Sequence, residues 1–180
     1  PSLIKRVFFI NKNRIIKLSF GKIEIDLTQS IDREIYLNGF YEKDQLIFLE
    51  KACNKNEVTH FLDIGANIGY YSLMMLKLIG NNGKLIAVEP SPTNIEILKK
   101  NLSLNNFHDI EVHNGAISDV NSTKKFFLSE MSNLNTLNYT DKKSLNLTGK
   151  TIDVKTYTVP EIMNGRSLDL IRMDVEGHEV

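Results

Sequence analysis

The sequence has few of the residues that mark disulfide-rich or membrane-spanning proteins. It contains one cysteine, no tryptophan and 4 prolines among 180 residues. The single Cys53 excludes an intramolecular disulfide framework and is typical of a reducing compartment, so we expect a free structural thiol in a cytoplasmic protein. The longest apolar stretch, residues 70–76, ends at Lys77 and is much shorter than the roughly 18 residues that a membrane helix needs. We therefore expect a soluble protein with no membrane partner.

The chain also has no excess of charge of either sign. Its 22 Lys and Arg residues balance 22 Asp and Glu residues. A protein that holds nucleic acid through bulk charge needs a basic surface, so this balance argues against a nucleic-acid partner. With 42% hydrophobic and 24% charged residues, the composition is that of a globular protein whose length suits one main domain.

The chain divides into a short N-terminal extension and a main domain. Residues 14–20 and 22–27 alternate apolar and polar side chains around Gly21, and this pattern predicts a β-hairpin. We place the hairpin extension at residues 1–35 and the main domain at residues 36–180.

The main domain alternates short apolar strands with helices. Helical spacing of apolar residues predicts an opening amphipathic helix over residues 41–53. Strands are then predicted at residues 58–64, 84–89 and 110–117, and helices at residues 70–79 and 92–104. Gly80 is placed to end the first of these helices, and Ser91 to cap the second with Pro92 at its first position. Such alternation forms right-handed βαβ units, so we expect an α/β fold with a doubly wound, mainly parallel sheet covered on both faces.

The last third of the chain has less regular patterns. Residues 119–150 are rich in Asn, Ser, Thr and Lys, and we expect a short strand and a long polar loop there. Residues 151–159 predict a strand, followed by a short helix from Pro160, and residues 168–174 predict an apolar strand that ends in a carboxylate. Because the sequence does not begin with methionine and stops at Val180 inside a motif, we expect a fragment. Its C-terminal strands would be missing, and its last strand would form an unpaired edge.

The most informative segment is residues 61–71, FLDIGANIGYY. A strand that ends near Asp63 and passes through Gly65, Asn67 and Gly69 into a helix makes a tight turn whose backbone can approach a ligand closely. Asparagine tolerates the positive φ that most residues avoid. Ligands bind parallel sheets beyond the carboxyl ends of the strands, which is where this turn is expected to lie.

The spacing of acidic residues around this turn separates two classes of nucleoside ligand. A dinucleotide fingerprint needs glycines at its first, third and sixth positions, and two of these positions counted from Gly65 hold other residues. Asp63 lies two positions before that glycine and suits a ligand with an ammonium group and no pyrophosphate. Glu89 ends the next strand, where it can accept hydrogen bonds from both ribose hydroxyls. S-adenosylmethionine has both groups; the alternative is a strand-turn-helix whose glycines only permit packing.

Three segments together resemble the FkbM-type O-methyltransferases, a branch of the Rossmann-like class I S-adenosylmethionine-dependent methyltransferases. They are LDIGANIGYYS from Leu62, AVEPSPTN from Ala87 and LDLIRMDVEGHE from Leu168. The resemblance spans residues 36–180, and the Asp-Val-Glu-Gly run is its most specific part. It implies transfer of a methyl group from S-adenosylmethionine to a hydroxyl of a sugar or polyketide-like small molecule.

The resemblance also implies which residues hold the cofactor. The methionine part would be cradled by Asp63, Gly65, Ala66, Asn67 and Gly69. Glu89 would hold the ribose and Pro90 would lie against the adenine. The edge of the adenine would contact the backbone around Asn114, Gly115 and Ala116.

The end of the fourth strand would face the reactive methyl group. An alcohol acceptor needs alignment with that group and a base that removes its proton. The candidates are Asp174, Glu176 and His178, and we favour Asp174 as the base or as a ligand for the acceptor hydroxyl. For Glu176 and His178, the alternative is a solvated loop or the first turn of a helix, where acidic residues are favoured by the dipole.

We expect no metal site. Some small class I O-methyltransferases bind magnesium or calcium at this strand end, but their further ligands would come from a strand that the sequence lacks. His60, His108 and His113 have no metal-ligand spacing and are expected to be structural.

Two other functions stay open at this point. One is a nucleic-acid or other N-methyltransferase, whose usual Asn/Asp-Pro-Pro-aromatic motif is replaced here by the run from Asp174 to Gly177. The other is a non-catalytic nucleotide-binding module. Neither the acceptor nor the oligomeric state follows from the sequence.

Overall fold

The N-terminal part of the chain forms a hairpin and two helices. The computed structural model describes residues 12–56, 58–80, 82–108, 110–131, 134–137 and 147–175. Strands β1 (Asn13–Leu18) and β2 (Gly21–Asp26) pair in antiparallel fashion, as the alternating pattern predicted. Helix α1 (Ser30–Asn38) ends at Gly39, and α2 (Lys43–Asn56) corresponds to the helix predicted over residues 41–53.

The main sheet is parallel. Its four strands are β3 (His60–Ile64), β4 (Lys84–Glu89), β5 (Glu111–Asn114) and β9 (Leu170–Met173). They lie in the order β5-β4-β3-β9. Helices α3 (Tyr70–Ile79) and α4 (Pro92–Leu104) connect β3 to β4 and β4 to β5. The predicted doubly wound α/β fold is thereby confirmed, and the strand order reverses between β3 and β9.

The ends of α3 and α4 follow from local sequence. Gly80 follows the last residue of α3 with φ 68°, and its N–H donates to Leu76 O. Ser91 caps α4, because its side chain accepts a hydrogen bond from Asn94 N–H at 3.4 Å, and Pro92 occupies the first position. The end of α3 and the start of α4 therefore lie where the predicted capping residues place them.

The prediction of one strand over residues 110–117 is wrong. The chain forms β5 and then a separate strand, β6 (Ala116–Ile117), on either side of Gly115. A side chain at Gly115 would overlap the backbone oxygen of Lys155 and the ring of Tyr157. The chain therefore leaves the main sheet at this glycine and enters another.

That second sheet contains three strands in the order β6-β8-β7. Strand β7 (Ser122–Ser129) is antiparallel to β8 (Leu147–Tyr157), and both are longer than the sequence predicted. A short helix, α5 (Val159–Met163), follows β8 and returns the chain to β9.

The core lies on both faces of the main sheet, because successive strand residues point to opposite sides. On one face, Phe61 and Ala87 pack with side chains of α3, α4 and the hairpin. On the other face, Leu62 and Ile64 pack with Ile162 and other side chains of α5. No helix in the described part of the chain is both long and apolar enough to span a bilayer.

Asn101 joins the hairpin to the main domain. This α4 residue is 0% exposed. Its side-chain oxygen accepts a hydrogen bond from Glu24 N–H at 2.6 Å, and its amide donates to Glu24 O at 3.2 Å and to Ile68 O at 2.8 Å. One side chain thus satisfies backbone groups of β2 and of the segment that precedes α3.

We expect Asn101→Ala to lower the free energy of unfolding by about 3 kcal/mol, because it leaves buried backbone groups of Glu24 and Ile68 without partners. Asn105→Ala is the matched control, since Asn105 makes similar bonds to Lys22 at a solvent-exposed position, and a loss of about 1 kcal/mol is expected there. Urea unfolding followed by circular dichroism measures both. Equal losses of unfolding free energy in the two variants would contradict the claim that burial makes the Asn101 hydrogen bonds more important for stability.

Candidate functional site

A pocket lies beyond the carboxyl ends of β3, β4 and β9, where the strand order of the sheet reverses. Crevices at such reversals are the usual ligand sites of open α/β sheets. The turn after β3, the ends of β4 and β9, and the chain around β6 supply much of its lining. Helix α1 and the segment after it contribute Ile31, Asp32, Ile35 and Tyr41. The pocket is therefore enclosed between the main sheet and the N-terminal segment.

The turn after β3, residues 65–69, is built by residues with positive φ. Gly65, Asn67 and Gly69 have φ values of 77°, 50° and 89°. The N–H groups of Gly65 and Ala66 both donate to Val88 O, at 2.9 and 3.1 Å, which fixes the turn against the end of β4. The expected positive φ of Asn67 is confirmed.

Gly65 also permits a close approach between two parts of the site. A Cβ atom built there would overlap the backbone carbonyl of Asp174. The turn after β3 and the chain after β9 are therefore in backbone contact, which only glycine allows.

Glu89 is a buried carboxylate at the end of β4. One oxygen accepts hydrogen bonds from Ser91 N–H at 3.0 Å and from the Asn94 side chain at 3.1 Å, and the other accepts from Asn67 N–H at 2.9 Å. Burial raises the pKa of Glu89 to about 7, although these three donors act in the opposite direction. Glu89 lines the pocket and links the turn after β3 to the start of α4.

Asp63 lies deeper than Glu89. It is 0% exposed and is not among the residues that line the pocket. One carboxylate oxygen accepts a hydrogen bond from the Ser72 hydroxyl at 2.6 Å, and the other lies 3.6 Å from the guanidinium of Arg172 without a hydrogen bond. Burial raises the pKa of Asp63, and the positive charge of Arg172 is the main influence that lowers it.

Three buried polar atoms at this site have no hydrogen-bond partner in the described part of the chain. They are Oδ1 of Asp63, Oδ1 of Asn67 and Nε of Arg172. Buried polar atoms are rarely left unpaired, so a cluster of them beside a pocket indicates a place for a polar ligand. Two of the three are acceptors, which suits a ligand that donates hydrogen bonds.

The structure brings most of the predicted cofactor residues to the pocket. The lining includes Gly65, Ala66, Asn67, Glu89, Pro90, Gly115 and Ala116, and also Asp174. Asp63, Gly69 and Asn114 do not line it. Glu176 and His178 lie outside the described residues.

Two charged residues of the pocket were missed from the sequence. Arg172 is 8% exposed and lies in β9, two positions before Asp174, which follows the strand. The sequence contained a signal for Arg172, because a positive charge inside the apolar run from Leu168 is unusual and indicates a residue with a specific role. Asp32 of α1 is buried, and its carboxylate accepts a hydrogen bond from Asp26 N–H at 2.6 Å. Nothing in the local pattern of α1 indicated that this residue lines a pocket.

The described residues contain no group of three or more His, Cys, Asp and Glu side chains that would hold a metal ion. His60 instead contacts Thr59 and Asp169, and His113 contacts Glu111. These histidines contact polar neighbours on or beside the strands of the main sheet.

A protein-family model matches two thirds of the chain. It is the methyltransferase FkbM domain, and the match covers residues 63–180. No curated protein sequence matches the chain significantly.

Several solved structures resemble parts of the chain. An O-methyltransferase from Bacillus cereus in complex with SAH is 22% identical over 42% of this chain and 34% of that one, with a TM-score of 0.38. A SAM-dependent methyltransferase from Agrobacterium tumefaciens is 14% identical over 58% and 32%, with a TM-score of 0.43. TYW2 from M. jannaschii in complex with AdoMet is 18% identical over 68% and 49%, with a TM-score of 0.47. The chain thus spans between about a third and a half of the length of these proteins.

Gly65→Ala tests the contact between the turn after β3 and Asp174. We expect a loss of at least about 3 kcal/mol in the free energy of unfolding, because the substitution combines an unfavourable positive φ with a backbone overlap. Gly39→Ala is the matched control: Gly39 has φ 79°, but a Cβ added there would meet no atom within 4 Å, so about 1 kcal/mol is expected. Thermal or urea unfolding measures the stability of both variants. Equal losses of unfolding free energy would show that the overlap of the new Cβ atom with the Asp174 carbonyl is relieved at no energetic cost.

Proposed function

We propose, from the premise that the chain belongs to the FkbM methyltransferase family, that its pocket binds S-adenosylmethionine and that the protein methylates a hydroxyl of a small molecule. The observation that carries this proposal is the convergence of three features at one crevice. They are the turn after β3, the buried carboxylate of Glu89 and the carboxylate of Asp174. The sequence resemblance and the family match agree on the reaction class.

The charges around the pocket favour a cationic ligand. Asp32, Glu89 and Asp174 line it, and Arg172 is the only Arg or Lys among the described lining residues. Once Glu89 has lost its proton, above about pH 7, this excess of carboxylates repels a diphosphate and attracts a ligand with sulfonium and ammonium groups. The unpaired acceptor oxygens of Asp63 and Asn67 support the same choice.

The residues of the pocket fit the parts of this cofactor. We propose that Glu89 accepts hydrogen bonds from the ribose hydroxyls, because its three existing donors leave acceptor capacity on a carboxylate that lines the pocket. Pro90 and the chain at Gly115 and Ala116 would contact the adenine. Asp63 lies behind the lining, so its proposed part is to attract the ammonium group through its charge or through a water molecule.

We propose that Asp174, at the other side of the pocket, removes the proton of the acceptor hydroxyl. Its side chain is 45% exposed, and one oxygen accepts a hydrogen bond from Arg172 at 2.7 Å. The second oxygen has no donor among the described residues and is free to accept the proton of an acceptor hydroxyl. The cofactor supplies an activated methyl group, so the protein's task is to align the hydroxyl and remove its proton. We keep Glu176 and His178 as further candidates for this step.

The acceptor class is proposed from the family resemblance. A sugar or a polyketide-like metabolite is the leading choice, and the pocket lining includes apolar residues such as Ile31, Ile35 and Phe126. An N-methyltransferase of nucleic acid is less well supported, because the chain has no net charge with which to hold a polyanion.

A thermal-shift titration tests the cofactor. S-adenosylhomocysteine should raise the melting temperature in proportion to the logarithm of its concentration, because it binds the folded state alone. NAD at the same concentrations should have no effect. A response to NAD and none to S-adenosylhomocysteine would overturn the cofactor assignment.

The pH dependence of binding tests Glu89. Because burial raises the pKa of this carboxyl to about 7, the unbound protein holds a proton there at lower pH, and this proton must leave when ribose hydroxyls donate to the carboxylate. We expect affinity for S-adenosylhomocysteine to rise about tenfold from pH 6 to pH 8. Calorimetry in buffers of different ionisation enthalpy should detect proton release below pH 7. Glu89→Gln should bind more weakly at pH 8 and show neither effect; a pH profile like that of the wild type would reject the assignment.

Asp174→Asn tests the proposed base. With radiolabelled S-adenosylmethionine and a panel of oligosaccharides and hydroxylated metabolites, we expect a loss of at least about 100-fold in methyl transfer. Binding of S-adenosylhomocysteine should change little, because the cofactor contacts are proposed elsewhere. Transfer at the wild-type rate would refute a catalytic part for Asp174.

A further inference from the structure

Arg172 lies between two carboxylates of the site. It is the cross-strand neighbour of Asp63 in the pairing of β3 with β9. Its NH1 atom is 3.6 Å from Oδ1 of Asp63, and its NH2 atom donates a hydrogen bond to Oδ2 of Asp174 at 2.7 Å. One guanidinium therefore connects the carboxylate beneath the turn after β3 to the carboxylate at the end of β9.

The guanidinium is held in place from several directions. Its NH1 atom also donates to Gly65 O at 3.1 Å. Its Cζ atom lies 4.2 Å from the centre of the Tyr71 ring, which is itself fixed by a hydrogen bond of 2.7 Å from its hydroxyl to Glu42. The Arg172 side chain is 9% exposed. A planar, stacked and forked group in this arrangement has little freedom to move, and lysine cannot reproduce it.

The surroundings of Arg172 are acidic. Asp63 interacts electrostatically with both Asp174 and Glu89, and Ser72 is the hydroxyl donor to Asp63. A buried carboxylate without a counter-charge is strongly unfavourable. Removal of the guanidinium would leave Asp63 with the Ser72 hydroxyl alone, beside two further carboxylates.

We propose that Arg172 is a positioning residue that orients Asp174 toward the acceptor and provides the counter-charge of Asp63. This inference rests on the proposed methyl transfer. By occupying Oδ2 of Asp174, the guanidinium leaves Oδ1 as the oxygen that meets the acceptor hydroxyl. By contact with Gly65 O, it also fixes the turn after β3 relative to that carboxylate.

The first test compares Arg172→Met, Arg172→Lys and the control Arg166→Met. Arg166 is an arginine with a 40% exposed side chain that pairs with Glu111 near the amino ends of the strands, away from the pocket. With a hydroxyl acceptor found in the panel and saturating S-adenosylmethionine, we expect kcat to fall about 100-fold in Arg172→Met and about tenfold in Arg172→Lys. The KM of the cofactor should change less than kcat, and Arg166→Met should behave as the wild type.

The second test needs neither cofactor nor acceptor. Carbon-13 NMR of protein labelled at the aspartate carboxyl carbons follows the titration of Asp63, whose signal is assigned by its absence in Asp63→Asn. Loss of the guanidinium should move the titration midpoint of Asp63 at least about one pH unit higher in Arg172→Met, and Arg172→Lys should keep it near that of the wild type. A side chain that only fills space would not move this midpoint in a folded variant.

The outcomes separate the inference from the proposed function. An unchanged kcat or an unchanged Asp63 midpoint in folded Arg172→Met would overturn the inference. If Arg172→Met does not fold, Arg172→Lys decides: a lowered kcat with a wild-type Asp63 midpoint supports the positioning role, and a wild-type kcat overturns it. If the wild type fails to bind S-adenosylhomocysteine, the proposed function fails, whereas the NMR result still tests the counter-charge of Asp63.

Discussion

The burial of carboxylates at one end of a parallel sheet is the constraint on which the site depends. Asp63 is the next-to-last residue of β3, Glu89 ends the neighbouring strand β4, and both are almost fully removed from water. Asp63 is tolerated because the Ser72 hydroxyl donates a hydrogen bond to it and the positive charge of Arg172 lies 3.6 Å away. Glu89 is tolerated because three N–H groups donate to it. The hydrogen bonds to these carboxylates therefore help to fix the conformation of the turn after β3 and of the start of α4, in addition to any contact with a ligand.

The N-terminal segment gives the pocket a wall that the family match does not describe. The match begins at residue 63, whereas Ile31, Asp32, Ile35 and Tyr41 line the pocket from outside it. Asn101 and the shared apolar core hold the hairpin against the main domain. The Tyr70 hydroxyl accepts a hydrogen bond from Tyr41 N–H at 2.9 Å, which ties the segment after α1 to the first turn of α3. The pocket is therefore assembled from two parts of the chain that are distant in sequence.

Much of the fold followed from local patterns, and the errors have local causes. The end of α3 and the start of α4 were predicted to the residue because Gly80, Ser91 and Pro92 fix them. Helix α1 was missed because only Asp32 and Ile35 of its nine residues are buried, and one of these two is polar. The break at Gly115 was missed because the reason for it, contact with Lys155 and Tyr157, lies about 40 residues further along the chain.

By itself, the sequence determined the fold class, the family and the turn after β3, since these depend on hydrophobic spacing, capping residues and a short motif read in order. Tertiary structure alone decided that Arg172 lies beside Asp63, that Asp32 faces the same pocket, and that Asp63 is withdrawn behind its lining. These facts depend on strand register and on how the N-terminal segment packs. Both are set by the sum of many contacts between distant residues, and no local pattern encodes that sum.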